Sequence, residues 1–455
     1  MVESRAARAS LAVFALVSWA GPVRAQDSHY WNLQYGPVAE LLGGVVVGSA
    51  QDLSATYYDP GGLALATDPA FLLSLNTFQL EEVSLESVSE RRSVSSSRFG
   101  SAPALIAGKL PDGWLGSTRM AWSFLTRQDF EASLSQKRAE TLAGPPPARV
   151  GSEILIDQDL TESWGGLTWS RRVGERSALG ITLYGVHRGQ HYRTEFSGQA
   201  ATEAGDGFAL LTTNDYEFNH FRGLAKIGYA LDRSSWSAGV TLTTPSLALF
   251  GSGQAAFTRS VSGLPQPGGG EAVLRNGFED DLDSRYASPW AVAAGGAWKR
   301  GPSRYTVSVE WFAPVDRFAV LDTTAFVGQP GAESLVAGLT QQQDSVLNGG
   351  LGFEHEFDRD LSVYAAFATD FSSSVRSPEV NNGVATWNIY HLTGGAAFAI
   401  SSVRFTAGLA FSFGGDEREL APPGVEEPLP ILGGPEAAQL RYRRLKFILG
   451  FAFGR

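Results

Sequence analysis

Residues 42–66 read LGGVVVGSAQDLSATYYDPGGLALA, and the fold turns on what this stretch does within an otherwise β-rich chain. It has no strand-like alternation. Asp52 can cap a short helical turn over Leu53–Tyr57, because a carboxylate accepts the orphan amide protons of a helix start. Asp59 can cap a second turn, with Pro60 in the first helical position, where a missing N–H costs nothing. Gly43, Gly44, Gly48, Gly61 and Gly62 clear side chains from places where backbone is to lie against a wall. A small, partly apolar segment followed by strands alone is what a plug inside a barrel requires. An ordinary cap on a soluble β-protein is the alternative.

From Pro69 onward the period is two. In the last strand, Leu445, Phe447, Leu449, Phe451 and Phe453 share one face, and Lys446, Ile448, Gly450, Ala452 and Gly454 the other. The preceding strand repeats the pattern, with Val403, Phe405, Ala407, Leu409, Phe411 and Phe413 opposite Arg404, Thr406, Gly408, Ala410 and Ser412. Alternation of this kind puts one face in an apolar phase. A soluble sandwich would fill its second face with Lys, Glu and Thr. Here that face is mostly Gly, Ala, Ser and Thr, which suits a lumen, with the aromatic face toward lipid. About fourteen strands can be counted, within the range of membrane barrels.

The connections alternate in length. Leu110–Trp114, Arg171–Arg176, Asp232–Ser235, Arg300–Ser303, Asp358–Asp360 and Ser401–Ser402 read as tight turns. Between them lie longer stretches rich in Gly, Pro and acid: Glu81–Ser97, Lys137–Gly151, Ala200–Gly207, Gly251–Glu271, Thr323–Gln343, Ser372–Gly383 and Gly414–Ala438. Short periplasmic turns facing long extracellular loops form the outer-membrane pattern. Trp114, Trp122, Trp169, Trp236, Trp298 and Phe357 cluster beside the short turns, as an interfacial girdle would.

The N-terminus reads as a secretory leader. Arg5 and Arg8 precede the apolar core Leu11–Ala20, Gly21-Pro22 breaks it, and Val23-Arg24-Ala25 fits a cleavage site. The expected division is a signal peptide over 1–25, a hatch over 26–68 and a barrel over 69–455. The chain has no cysteine, which excludes disulfides, thiolate metal sites and cysteine nucleophiles. Its formal net charge of −11 argues against nucleic acid, whose phosphates need clustered Lys and Arg. No later stretch is long enough for a transmembrane helix, so any membrane crossing must use a closed barrel.

Over Gly48–Ala66, GSAQDLSATYYDPGGLALA resembles the hatch signature of the FadL-type long-chain fatty acid transporters of Gram-negative outer membranes. Asp52-Leu53-Ser54 and Tyr57-Tyr58 match that signature. Asp59-Pro60-Gly61-Gly62 departs from its Asn-Pro-Ala-Gly at the first and third positions. Gly239–Leu247, GVTLTTPSL, is similar to a mid-barrel strand of the family. The resemblance implies a fourteen-stranded barrel in the outer membrane and passive uptake of hydrophobic molecules: long-chain fatty acids, similar lipids or aromatic hydrocarbons. A general diffusion porin, or a structural or adhesion barrel, is the alternative.

Several residues follow as candidates. Asp52, Tyr57, Tyr58, Asp59, Pro60 and Gly61 form either a movable gate or static packing. Arg188, Arg222, Lys226 and Arg404 fall on or near inward faces where they can meet a ligand carboxylate, with Glu310 and Asp370 as possible pairing partners. A sideways exit needs an interrupted ladder. Arg127 and Gln128 break the apolar alternation of the third strand, and Pro245 withdraws a backbone donor from a later one. His187 and His191 are too far apart along a strand for easy co-ligation of a metal. No Gly-x-Ser-x-Gly elbow or HExxH is present, so neither a catalytic role, a metal nor a cofactor is expected. The expected partners are a hydrophobic small molecule, outer-membrane lipid and lipopolysaccharide, with the protein a monomer.

Overall fold

Period-two alternation from Pro69 onward produces eighteen strands in the computed structural model, which describes residues 28–50, 52–66, 69–87, 93–111, 118–142, 148–202, 207–263, 273–324, 338–375, 387–420 and 436–454. They are β1 (Pro69–Ser87), β2 (Ser93–Lys109), β3 (Arg119–Leu142), β4 (Ala148–Arg172), β5 (Ser177–Thr202), β6 (Gly207–Asp232), β7 (Trp236–Thr243), β8 (Leu247–Ser262) and β9 (Val273–Asp283), followed by β10 (Ala291–Arg300), β11 (Ser303–Phe312), β12 (Val315–Leu321), β13 (Leu339–Gln343), β14 (Val346–Glu356), β15 (Leu361–Asp370), β16 (Asn388–Ile400), β17 (Val403–Leu420) and β18 (Glu436–Gly454). The proposed leader and Trp114 lie outside the described residues.

Antiparallel pairing runs β5–β4–β3–β2–β1–β18–β17–β16–β15–β14–β11–β10–β7–β6, and β6 returns to β5, so the sheet closes as a 14-stranded barrel. The first and last strands seal the cylinder, from Phe71 opposite Phe453 to Ser87 opposite Ala438. Closure pairs both edges of the sheet, so most of the ladder is satisfied without water.

The two faces sort as the alternation requires. Phe447, Leu409, Val240 and Trp311 point outward and are 42%, 48%, 49% and 43% exposed, whereas Lys446 and Ile448 point inward and are buried. That is an apolar exterior around a filled lumen. Trp236 and Trp298 are register partners beside the short turns and both face out, in keeping with an interfacial belt. Among the described residues no helix is long and apolar enough to cross a membrane.

The long connections are shorter than the sequence suggests. Strand β1 continues to Ser87 and β2 begins at Ser93; β3 reaches Leu142 and β4 begins at Ala148; β17 reaches Leu420 and β18 begins at Glu436. Strands β4, β5 and β6 have 25, 26 and 26 residues, against the roughly 9–11 that cross hydrocarbon. Above the bilayer the outer face leaves lipid and turns polar, while the inner face packs apolar clusters such as Phe130, Leu160, Trp387 and Tyr442, so the outward apolar stripe fades while the ladder continues. Cross-strand pairs such as Arg98–Asp129 at 2.9 Å take its place.

Four neighbouring wall positions are each built from two strands. The breaks are Thr244–Ser246 between β7 and β8, Ser284–Trp290 between β9 and β10, Ala313-Pro314 between β11 and β12, and Asp344-Ser345 between β13 and β14. Pro245, Pro289 and Pro314 fall within them, and each removes a ladder donor. Strands β10, β11 and β14 have 10, 10 and 11 residues, about one membrane crossing each. The breaks therefore line up at one height near the outer end of the membrane-spanning zone.

The hatch fills the lumen below that height. It contains helix α1 (Pro37–Leu41), helix α2 (Ala55–Tyr58) and a 3-10 turn over Pro60–Ala64. Asp59 caps the 3-10 turn as expected, accepting from the Gly61 N–H at 3.1 Å. Asp52 caps the turn that leads into α2: its carboxylate accepts the Ser54 N–H at 2.8 Å and its carbonyl the Ala55 N–H at 3.2 Å, while Ser54 holds the cap position of α2 itself without a side-chain bond. The wall holds the hatch from several sides: Thr182 and Tyr184 donate to the Thr56 carbonyl at 2.8 and 2.9 Å, Thr241 to that of Tyr58 at 2.8 Å, and Thr393 to that of Leu41 at 2.8 Å.

The light inner face now has its explanation. A Cβ on Gly180, Gly228, Gly239, Gly295, Gly350 or Gly450 would stand closer than 3.0 Å to atoms of Pro60, Asp59, Gly48, Val47, Val45 and Pro37 respectively. Leu41 presses likewise on Gly395 and Gly408. The wall has lost its side chains where the hatch backbone lies against it. Gly48 has φ +68° at its contact with Gly239, a conformation that glycine adopts without penalty. One buried ion pair adds to the seating. Glu40 of α1 meets Lys446 of β18 at 3.3 Å, and the Ser74 hydroxyl also donates to Glu40.

Candidate functional site

Directly above the hatch is a cavity of about 50 Å³. Its floor is Tyr57, held edge-to-face against Tyr35 and Tyr58 with ring centroids 4.4 and 5.1 Å apart. Trp164, Leu224, Tyr286 and Phe312 supply apolar walls. Such a volume admits only a few waters, so an aromatic ring or alkyl chain requires the walls to give.

Into this apolar frame project the charged groups. Glu162 of β4 accepts from Arg188 of β5 at 3.1 Å and from Arg222 of β6 at 2.7 Å. The Trp164 indole N–H donates to its other oxygen at 2.6 Å. The Arg188 and Arg222 guanidinium carbons lie 3.9 and 4.8 Å from the Tyr286 ring centroid, within cation–π range. Lys226 sits 4.2 Å above the Tyr57 ring and 4.0 Å from Glu310, and the Trp31 indole donates to Glu310 at 2.7 Å. Arg127, Arg188, Arg222 and Lys226 thus face two carboxylates. Among the described residues the Arg222 Nη1 has no hydrogen-bond partner.

Three of the four expected cationic residues therefore line one pocket, with Glu310 beside them. Arg404 does not. It is exposed, near the Ser401-Ser402 turn, and lines a separate vestibule of about 670 Å³ on the far side of the hatch together with Asp52, Arg304 and Glu354. Its place at the start of β17 sets it below the plug. Asp370 is also elsewhere: it accepts from the backbone N–H groups of Tyr30 and Trp31 at 3.0 and 2.9 Å and faces His29 at 3.5 Å, anchoring the N-terminal arm of the hatch.

Both suspected interruptions of the wall border this pocket. The β2–β3 ladder pairs Leu105–Lys109 with Ala121–Leu125 and has no further pair among the described residues. Two residues beyond its last pair β2 carries Pro103, which has no N–H to offer. On β3 the register with β4 slips between Thr126 and Gln128, leaving Arg127 as a bulge. Residues 125–128 are consecutively buried, so the bulge turns Arg127 inward. Its carbonyl accepts from the Tyr35 hydroxyl at 3.3 Å, and its guanidinium lies 5.8 Å from the Trp164 ring. Gln128 donates to the His29 carbonyl at 3.1 Å. Pro245 marks the other interruption, between β7 and β8, on the side of the pocket lined by Thr243 and Ser288.

The gate candidates fall in three places. Tyr57 forms the pocket floor, with Tyr58 packed edge-to-face against it and the Tyr58 hydroxyl accepting the Tyr35 N–H at 2.9 Å. Asp52 lines the vestibule. Asp59, Pro60 and Gly61 are wedged against Gly180 and Gly228 of the wall. Sequence reasoning did not find Glu162, Trp164, Tyr286 or Tyr35. A carboxylate on the light face of β4, in register with Arg188, was the available signal for Glu162.

The barrel is thus closed and plugged, with an aromatic, charge-bearing pocket beside a parted wall. Solved structures with this architecture are similar to the chain over nearly its whole length. The likeness to a Pseudomonas aeruginosa FadL homologue has a TM-score of 0.58 at 9% identity, covering 94% of this chain and 100% of that one. The Pseudomonas putida toluene transporter TodX gives 0.59 at 12%, with 93% and 99% covered, and the Ralstonia pickettii toluene transporter TbuX 0.51 at 12%, with 93% and 99% covered. The chain has the fold of the FadL-type transporters. No family model matches the sequence, and no curated protein does.

Proposed function

We propose that the protein carries hydrophobic molecules inward across the outer membrane by passive diffusion, without a cofactor. The ligand rests in the pocket above a hatch that stays seated, and leaves sideways where β2 and β3 part. The observation that carries this reading is the Arg127 bulge: the β2–β3 ladder ends beside the aromatic pocket above the hatch, which Arg127 and Gln128 help to line. A greasy molecule gains about 25 cal/mol per Å² buried along such a path, and nothing from the charged vestibule below. The neighbours described as toluene transporters share the fold. The surplus of cations in the pocket, and the open Arg222 donor, favour a carboxylate-headed ligand such as a long-chain fatty acid over a neutral hydrocarbon.

The test uses purified protein in liposomes. Oleate uptake should exceed that of empty vesicles while small sugars pass poorly. A diffusion porin would give the reverse. The exit is tested by Ser96→Cys/Ser133→Cys, a pair spanning the β2–β3 gap where the Ser133 N–H reaches the Ser96 hydroxyl at 3.1 Å. Oxidation should slow oleate uptake, and unaltered uptake in the cross-linked protein would rule this exit out.

A further inference from the structure

We infer that the pocket has a second lateral window, on the side away from Arg127, between the β7/β8 and β9/β10 wall positions and latched by Ser246 and Ser288. The inference rests on the reading that ligand occupies this pocket.

The ladder on that side is interrupted over a whole stretch. Strand β7 pairs with β10 up to Thr243 opposite Ala291, and β8 pairs with β9 only from Ser252 opposite Asp283. Between these points the two chain segments are joined by long or side-chain bonds: Ser246 N–H to the Ser288 carbonyl at 3.4 Å, Ser284 N–H to the Gly251 carbonyl at 3.3 Å, and Ser288 N–H to the Ser246 hydroxyl at 2.9 Å. Pro245 and Pro289 cannot donate at all. The stretch lacks the regular ladder that a lipid-facing wall otherwise needs.

The two sides of this stretch differ as the two sides of a portal would. Inside, Ala287, Ser288 and Pro289 line the pocket, and Arg222 donates to the Ser288 hydroxyl at 3.1 Å. Outside, Leu247, Leu249, Phe250 and Trp290 are 71%, 58%, 65% and 47% exposed, an apolar rim facing lipid. At the breaks Ala313-Pro314 and Asp344-Ser345 the wall stays joined, by the Ala313 N–H to the Trp290 carbonyl at 2.9 Å and the Asp344 N–H to the Ser373 carbonyl at 2.8 Å, so the gap is confined to the Ser246–Ser288 side. A cavity of about 50 Å³ must widen to hold an alkyl chain, and this is a side where no ladder opposes widening. The pocket is then a passage open at both flanks, and a lipid-dissolved amphiphile can reach it from the membrane with its head against Arg222 and Ser288.

The chain has no cysteine, so Ser246→Cys/Ser288→Cys introduces one cross-link on a clean background. With the disulfide verified by mass, oleate uptake into liposomes should fall at least twofold and recover on reduction. Equal uptake in the oxidised and reduced forms would overturn the window. The Ser96→Cys/Ser133→Cys lock separately reports on the exit, so the two readings fail independently. Ser288→Cys alone should react with a maleimide carried on a phospholipid. Absence of that reaction in bilayers also overturns the inference. Should the double variant fail to assemble, Ala248→Trp adds bulk to the exposed outer lip: slowed uptake supports the window and unchanged uptake overturns it.

Discussion

The hydroxyl of Tyr35, in the hatch, donates to the main-chain carbonyl of Arg127, in the wall, at 3.3 Å. The plug thus supplies a partner to a backbone group where the wall parts. Tyr35→Phe removes that donor and leaves a buried carbonyl unpaired, which costs about 1–3 kcal/mol. The expected outcome is a lower urea midpoint, with faster hydrogen exchange confined to residues around Arg127 and the hatch. Uniform loss of protection around the whole barrel would contradict this local role.

Asp59 is a hatch residue outside the spanning strands, and burial pushes its carboxyl up to about 7, with the Gly61 and Gly62 amides pulling weakly the other way. Its unfolded value lies near 4. The seated hatch therefore takes up a proton between about pH 4 and 7, and its stability falls as pH rises through that window. The protection factor of the Pro60–Ala64 turn, its amide exchange taken relative to the intrinsic rate at the same pH, should be larger at pH 5 than at pH 8. Asp59→Asn, which keeps a cap without a charge, should flatten that difference.

The Glu40–Lys446 pair is buried on both sides. Lys446→Met strands the carboxylate and should cost about 3–5 kcal/mol, read as a drop in thermal or urea resistance. Adding Glu40→Gln should recover much of the loss, because the uncompensated charge rather than the missing bond dominates it.

Glu162 occupies the place between Arg188 and Arg222 that a ligand carboxylate would take. Glu162→Gln should tighten oleate binding about tenfold, equal to ~1.4 kcal/mol, and leave the affinity for toluene unchanged. Binding by tryptophan quenching or calorimetry checks it. An equal change for both ligands would show that the substitution merely reshaped the cavity.

The barrel was legible because each spanning strand advertises its two faces, as Phe447 and Lys446 do within one step of each other. Arg127 and Pro245 were legible as interruptions for the same reason: each breaks a local rule. The upper strands were not, because from Ser84 or Lys137 onward neither face is in lipid and apolar periodicity carries no signal. The pocket was half legible. Arg188, Arg222 and Lys226 share the light face of two paired strands, but Tyr286 reaches them from an irregular break, and Tyr35 from the hatch, through contacts that no spacing encodes. Arg404 has the same face as they do and the wrong height, and alternation reports faces, not heights.

The glycines facing the hatch make the cylinder a mould cast around one particular insert. Grafting the first sixty-odd residues of a distant relative onto this cylinder would therefore set foreign side chains against recesses shaped for Pro37, Val47 and Asp59, and such chimeras should assemble only when donor and recipient exchange the matching recesses as well. Plug and cylinder are constrained to diverge as a matched set.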